Sequence, residues 1–117
     1  MTAKEKMNGI VKILDEKKAH DIKVLEISDL TVLADYFVIC SADSTTAVRS
    51  LSDYVEEGLE ALGEQPPRKE GKDGFNWLLM DYSDVIVHIF YQETREFYAL
   101  EKLWADAPEL DISAILK

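Results

Sequence analysis

The 117-residue chain has a single cysteine, Cys40, and only two histidines. One thiol cannot close an internal disulfide, and it cannot build an all-cysteine zinc site. No apolar run approaches the roughly 20 residues that a membrane-crossing helix needs. Residues 1–10 (MTAKEKMNGI) hold no apolar h-region, so no secretory signal is expected there. Cations are also in deficit: 13 Lys and Arg stand against 23 Asp and Glu, a net charge of −10. A domain this acidic grips phosphate backbones poorly and suits anionic membrane surfaces poorly, so specific DNA binding and membrane association are not expected. The P-loop, GxGxxG and HExxH patterns are all absent from the sequence.

What is present is core material. Hydrophobic residues make up 47% and charged residues 31%, which argues against disorder and for one packed domain over 1–117. The expected location is the reducing cytoplasm. The charge is uneven: residues 1–23 carry six lysines against four acidic residues, a balance of +2, while 24–117 carry seven basic and nineteen acidic residues, a balance of −12. A solvated first helix on an acidic body explains this; an acidic surface that meets a basic partner is the sharper alternative.

Met7, Ile10, Val11 and Leu14 recur at helical spacing, so residues 3–18 read as an amphipathic helix. Residues 21–28 alternate as a half-buried strand with a phase slip at Leu25, and 36–40 (YFVIC) form a short apolar run suited to a central strand. Ser41, Asp43 and Ser44 supply capping types before a second helix over 45–62. Val48, Leu51, Val55, Leu59 and Leu62 line one of its faces, and Gly63 is a natural stop. Residues 63–74, with three glycines and two prolines, read as a loop holding a short edge strand near 67–70. Residues 75–81 and 85–91 read as a hairpin closed by Asp81-Tyr82-Ser83-Asp84. Phe75, Trp77, Leu79 and Asp81 fall on one face of its first strand. A last helix covers 93–105 with Phe97, Leu100 and Trp104 buried, ended by Pro108. The expected fold class is α/β: a single mixed sheet of four to five strands flanked by helices, in the order αββα(β)ββα.

Chemistry-bearing residues are few. His20 reads as a solvated or capping residue, His88 as a half-buried strand histidine, and Cys40 as a structural thiol. Asp81 and Asp84 bracket a turn; turn formation is the plainer reading, and a Mg²⁺ pair of nucleotidyltransferase type is the alternative. No cofactor or metal site is expected. Trp77, Tyr82, Tyr91, Tyr98 and Trp104 concentrate in the C-terminal half beside Arg95, a composition suited to a binding hot spot.

Three stretches carry a resemblance: Ala34-Asp35-Tyr36-Phe37-Val38-Ile39-Cys40-Ser41, the run 77–90 (WLLMDYSDVIVHIF), and the run 95–107 (REFYALEKLWADA). In this order and spacing, with Glu70-Gly71 ahead of them, they resemble the ribosomal silencing factor family, also called RsfS or Iojap. Two positions depart from the family pattern: Ala42-Asp43 stands where Gly-Thr is usual, and Ser83 where Gly is usual. The resemblance implies a nucleotidyltransferase-like sheet without the catalytic motifs, hence no enzyme. It also implies binding to the large ribosomal subunit through universal large-subunit protein fourteen, which would block subunit joining and repress translation. Ribosome assembly, or a Mg-dependent nucleotidyltransferase-like enzyme, remain the alternatives. The residues expected to meet the partner are Trp77 as an apolar anchor, Asp81 and Glu70 as pairs for basic groups, and Arg95 as a multi-donor contact. Met80, Tyr82, Arg68 and Lys69 complete the set. A homodimer built on the same aromatic hairpin is the other association the sequence suggests.

Overall fold

The structure is a computed structural model. It describes residues 1–71, 73–98 and 100–116; the side chains of residues 96–98 lie outside the description, with Lys72, Ala99 and Lys117. The elements run α1 (Ala3–Glu16), β1 (His20–Glu26), β2 (Tyr36–Ala42), α2 (Thr45–Ala61), β3 (Arg68–Glu70), β4 (Trp77–Asp81), β5 (Val85–Tyr91), α3 (Gln92–Tyr98), α4 (Leu100–Leu103), β6 (Glu109–Leu110) and α5 (Ile112–Ile115). The strands form one mixed sheet of order β3-β4-β5-β2-β1-β6. Only the central β2–β5 pair is parallel; the other pairs are antiparallel.

Local chemistry explains where the helices start and stop. Thr2 and Glu5 form a reciprocal capping box at α1. Ser44 accepts from the Ala47 N–H at the start of α2. At the other end of α2, Gly63 takes φ +92°. Its N–H donates to the Glu60 carbonyl and that of Glu64 to the Leu59 carbonyl, a Schellman closure. The apolar stripes of α1 (Met7, Ile10, Val11, Leu14) and α2 (Val48, Leu51, Val55, Leu59) pack together on one sheet face. Beneath them lie Val38, Cys40, Leu78, Met80, Val85, Val87 and Ile89. Leu62, expected on the α2 stripe, is the C-cap and is 58% exposed. The opposite face has a smaller cover: Leu100 and Ala107 pack on Leu25, Ile27, Phe37, Ile39 and Phe90.

Several boundaries differ from the sequence expectation. The sheet has six strands because Glu109–Leu110 pairs with Val24 and Leu25; two residues carry no periodicity to read. The irregularity in β1 lies between His20 and Lys23, where Asp21 takes φ +49°, and not at Leu25. His20 opens this strand, and its Nε2 lies 3.1 Å from Asp43 Oδ1. β4 begins at Trp77, since Phe75 sits at φ +55° and cannot continue a strand. The helix expected over 93–105 is described as two short ones, α3 and α4; α4 ends at Leu103, followed by a turn in which the Ala107 N–H donates to the Trp104 carbonyl. The expected burial of Phe97 and the place of Tyr98 in the aromatic cluster fall outside the described side chains.

Two tie points hold β4 and its turn in place. Gly71 has φ +90°, and a Cβ there would meet the Trp77 carbonyl oxygen at 2.0 Å. Gly71→Ala is therefore expected to lose about 2 kcal/mol of stability in urea unfolding, through strain at a position only glycine fits. Lys6 reaches from α1 across to the hairpin turn. Its Nζ donates to Asp84 Oδ1 at 2.7 Å and to the Tyr82 carbonyl at 3.3 Å, and lies 3.4 Å from Glu64. Burial works against this charge, yet Asp84 and Glu64 hold the ammonium above the ordinary lysine range. Lys6→Met should cost about 2 kcal/mol, less than a fully enclosed pair would, because both carboxylates keep some solvent. The unfolding midpoint in urea reads this directly.

Candidate partner-binding face

The sheet face opposite α1 and α2 is only half covered, and that asymmetry makes the site. The α3–α4 segment, with Leu100 and Ala107, covers the β1–β2 side and Phe90 of β5, while β3, β4 and the Ile86 end of β5 stay less covered. Register decides what is displayed there. Arg68 lies opposite Asp81, Glu70 opposite Leu79, and Trp77, Leu79 and Asp81 lie opposite Phe90, His88 and Ile86. Directly opposed residues share a face. Along β4 the odd positions are half-exposed while Leu78 and Met80 are buried. The open patch is thus Trp77, Leu79, Asp81 and Ile86, rimmed by the exposed ion pair Arg68–Glu70 at 3.7 Å.

Trp77 is fixed by its neighbours. Its ring stacks on Phe90 with centroids 5.0 Å apart and an interplanar angle of 24°. Its Nε1–H donates to His88 Nδ1 at 3.1 Å. An accepting Nδ1 leaves the proton of a neutral imidazole on Nε2. That Nε2 is buried without a hydrogen-bond partner among the described residues. Phe37 meets the imidazole edge-on at 4.7 Å and Trp104 edge-on at 5.1 Å, so apolar surface continues under α4. Burial pushes the His88 pKa down to about 4, so the ring is neutral at physiological pH.

Four of the eight expected contact residues lie off the open patch. Met80 is fully buried beneath α2 because it has the opposite strand parity to Trp77. Tyr82 is buried in the same core; burial, then Glu56 and Glu64, raise its phenol well above the usual range. Lys69 points to the helix side and pairs with Glu56 at 2.9 Å and Asp53 at 3.8 Å. Arg95 is only 9% exposed. Its Nε donates to Glu101 Oε1 at 2.7 Å and its Nη1 to Ser41 Oγ at 2.7 Å and the Asp21 carbonyl at 2.8 Å. It clamps α3 to β1 and β2. Trp77, Asp81, Arg68 and Glu70 do share the open face. Leu79 and Ile86 belong with them, and strand alternation alone could have found both.

The turn carboxylates each have a structural partner. Asp81 Oδ1 accepts from the Ser83 N–H at 2.7 Å, closing an Asx-turn around Ser83 at φ +76°. Asp84 is held by Lys6. Cys40 is fully buried, and burial pushes its thiol up to about 12, far from a reactive thiolate.

This arrangement is matched by known proteins. The family model described as "Ribosomal silencing factor during starvation" matches residues 1–117. The chain belongs to the ribosomal silencing factor family. The Bacillus subtilis ribosomal silencing factor is 39% identical over 98 residues, covering 84% of this chain and 83% of that relative. A crystal structure of a Chromobacterium violaceum protein has a TM-score of 0.86 at 30% identity, covering 90% of this chain and 88% of its own. Mouse "Mitochondrial assembly of ribosomal large subunit protein 1" is 34% identical over 105 residues, which span 87% of this chain but 46% of that longer protein.

Proposed function

We propose that this ribosomal silencing factor family member binds the large ribosomal subunit through universal large-subunit protein fourteen, and that its bulk then blocks joining of the small subunit and represses translation in the cytoplasm. The observation that carries this reading is the open sheet face: a half-exposed tryptophan, pinned by a stack and a hydrogen bond, with Leu79 and Ile86 around it and a charged rim. A rigid aromatic anchor inside a polar rim is what a binding hot spot requires. Steric occlusion asks nothing more of the protein than a well-held surface. The net charge of −10 suits a basic ribosomal protein and disfavours bare RNA. The enzyme alternative is less favoured, since it needs Asp81 and Asp84 as metal ligands and both already serve the turn. A second copy of the chain could compete for the same face, and light scattering separates that case.

The test is a sucrose gradient of purified subunits at associating Mg²⁺. Comigration with large subunits and a shrinking joined-ribosome peak are expected. A protein that stays at the top of the gradient, with the joined peak unchanged, would refute the proposal.

A further inference from the structure

A concave region lies apart from the open patch, at the carboxyl ends of β2 and β5. These strands are parallel neighbours, yet their onward connections diverge: β2 feeds α2 on one sheet face, and β5 feeds α3 on the other. Such a divergence opens a crevice between adjacent strand ends, which is where open α/β sheets take their ligands. Here the crevice holds a cavity of about 820 Å³, inside the range of small-molecule sites.

Its lining is unusual for so acidic a chain. Three cations converge on it: Lys23, Lys102 and the clamped Arg95. Among the described residues neither lysine is ion-paired. Arg95 spends Nε and Nη1 on Glu101, Ser41 and the Asp21 carbonyl. Its Nη2 makes no hydrogen bond among the described residues. A guanidinium held through three of its five N–H donors, with both donors of Nη2 unspent, is a pre-oriented anion receptor. Of the two lining carboxylates, Glu101 is consumed by Arg95; against burial, its own backbone, Arg95 and, more weakly, Lys23 hold it below the usual carboxylate range. The Asp21 carboxylate and the Gln92 amide remain as acceptors for hydroxyl groups.

We propose that this cavity binds a small phosphorylated, hydroxyl-bearing molecule, with Arg95, Lys23 and Lys102 on the phosphate and Asp21 and Gln92 on the hydroxyls. The cavity lies on the same sheet face as the open patch but at the β1–β2 side, and it shares no lining residue with Trp77, Leu79, Asp81 and Ile86.

Titration of the ¹⁵N-labelled chain tests it, with inorganic phosphate, ribose 5-phosphate and adenosine monophosphate as probes and sodium chloride at matched ionic strength as control. Amide shifts are expected at 21–23, 41–42, 92–95 and 101–102, with ribose 5-phosphate tighter than inorganic phosphate. A Lys23→Glu/Lys102→Glu double variant should keep its dispersed spectrum and bind at least about tenfold more weakly, because like charges now face the ligand. Absence of shifts at millimolar probe, shifts reproduced by chloride, or unchanged affinity in the double variant would each overturn the site. Equal affinity for inorganic phosphate and ribose 5-phosphate would overturn the roles given to Asp21 and Gln92. A preference for adenosine monophosphate over ribose 5-phosphate would show that the cavity also takes the base.

Discussion

Trp77→Ala is expected to weaken large-subunit binding by about 30-fold or more, the loss typical of an anchor worth at least about 2 kcal/mol. The indole is the largest apolar group on the open face, and its orientation is fixed before any partner arrives. Its stack on Phe90 and its bond to His88 mean that little conformational freedom is lost on docking. Trp77→Phe keeps the stack and loses the donor, so it should fall between wild type and alanine. Met80→Leu is the matched control: it changes the neighbouring residue on the core side and should leave binding unaltered. Cosedimentation at a temperature where circular dichroism shows every variant folded reads all three. Wild-type comigration of a folded Trp77→Ala protein would remove the open face from consideration.

The second large effect is a loss of stability in mild acid. His88 is neutral in the folded chain, its pKa pushed down from 6.5 to about 4 by burial. The unfolded chain therefore takes up a proton first as the pH falls. The stability that neutral His88 preserves is complete above pH 6.5 and is lost between there and pH 4. The gap corresponds to about 3 kcal/mol in all, of which about 2 kcal/mol should go between pH 7 and pH 5. Protonation would also place a hydrogen on Nδ1, where it would oppose the Trp77 donor. His88→Gln offers Trp77 an acceptor that does not titrate, so its urea midpoint should be nearly flat over the same interval. An equally steep decline in that variant would show that other groups set the acid limit.

Much of this fold could be read from periodicity. Met7, Ile10, Val11 and Leu14 define α1 without help, and the alternation through 77–81 and 85–91 defines the hairpin. What stayed hidden depends on geometry without pattern. The two residues of β6 are too few to alternate. The bulge at Asp21 turns on one left-handed residue, and Phe75 is an apolar residue stopped from joining β4 by its backbone. The proposed binding face was half legible. Trp77 and Asp81 follow from alternation, and the same rule excludes Met80, which adjacency along the chain had drawn in. Arg95 was misplaced for another reason: an arginine near aromatics reads as a surface donor, and only tertiary structure reveals Ser41, Glu101 and the Asp21 carbonyl around it.

The two strands at the margins of the sheet have a further consequence. β3 is three residues long, all charged and preceded by Pro66 and Pro67, and β6 is two residues long and begins with Glu109. A neighbouring molecule finds almost no free backbone ladder to extend at either margin. The chain can therefore keep an uncovered aromatic face in solution without growing into stacked sheets, and its exposed apolar surface stays reserved for side-chain recognition.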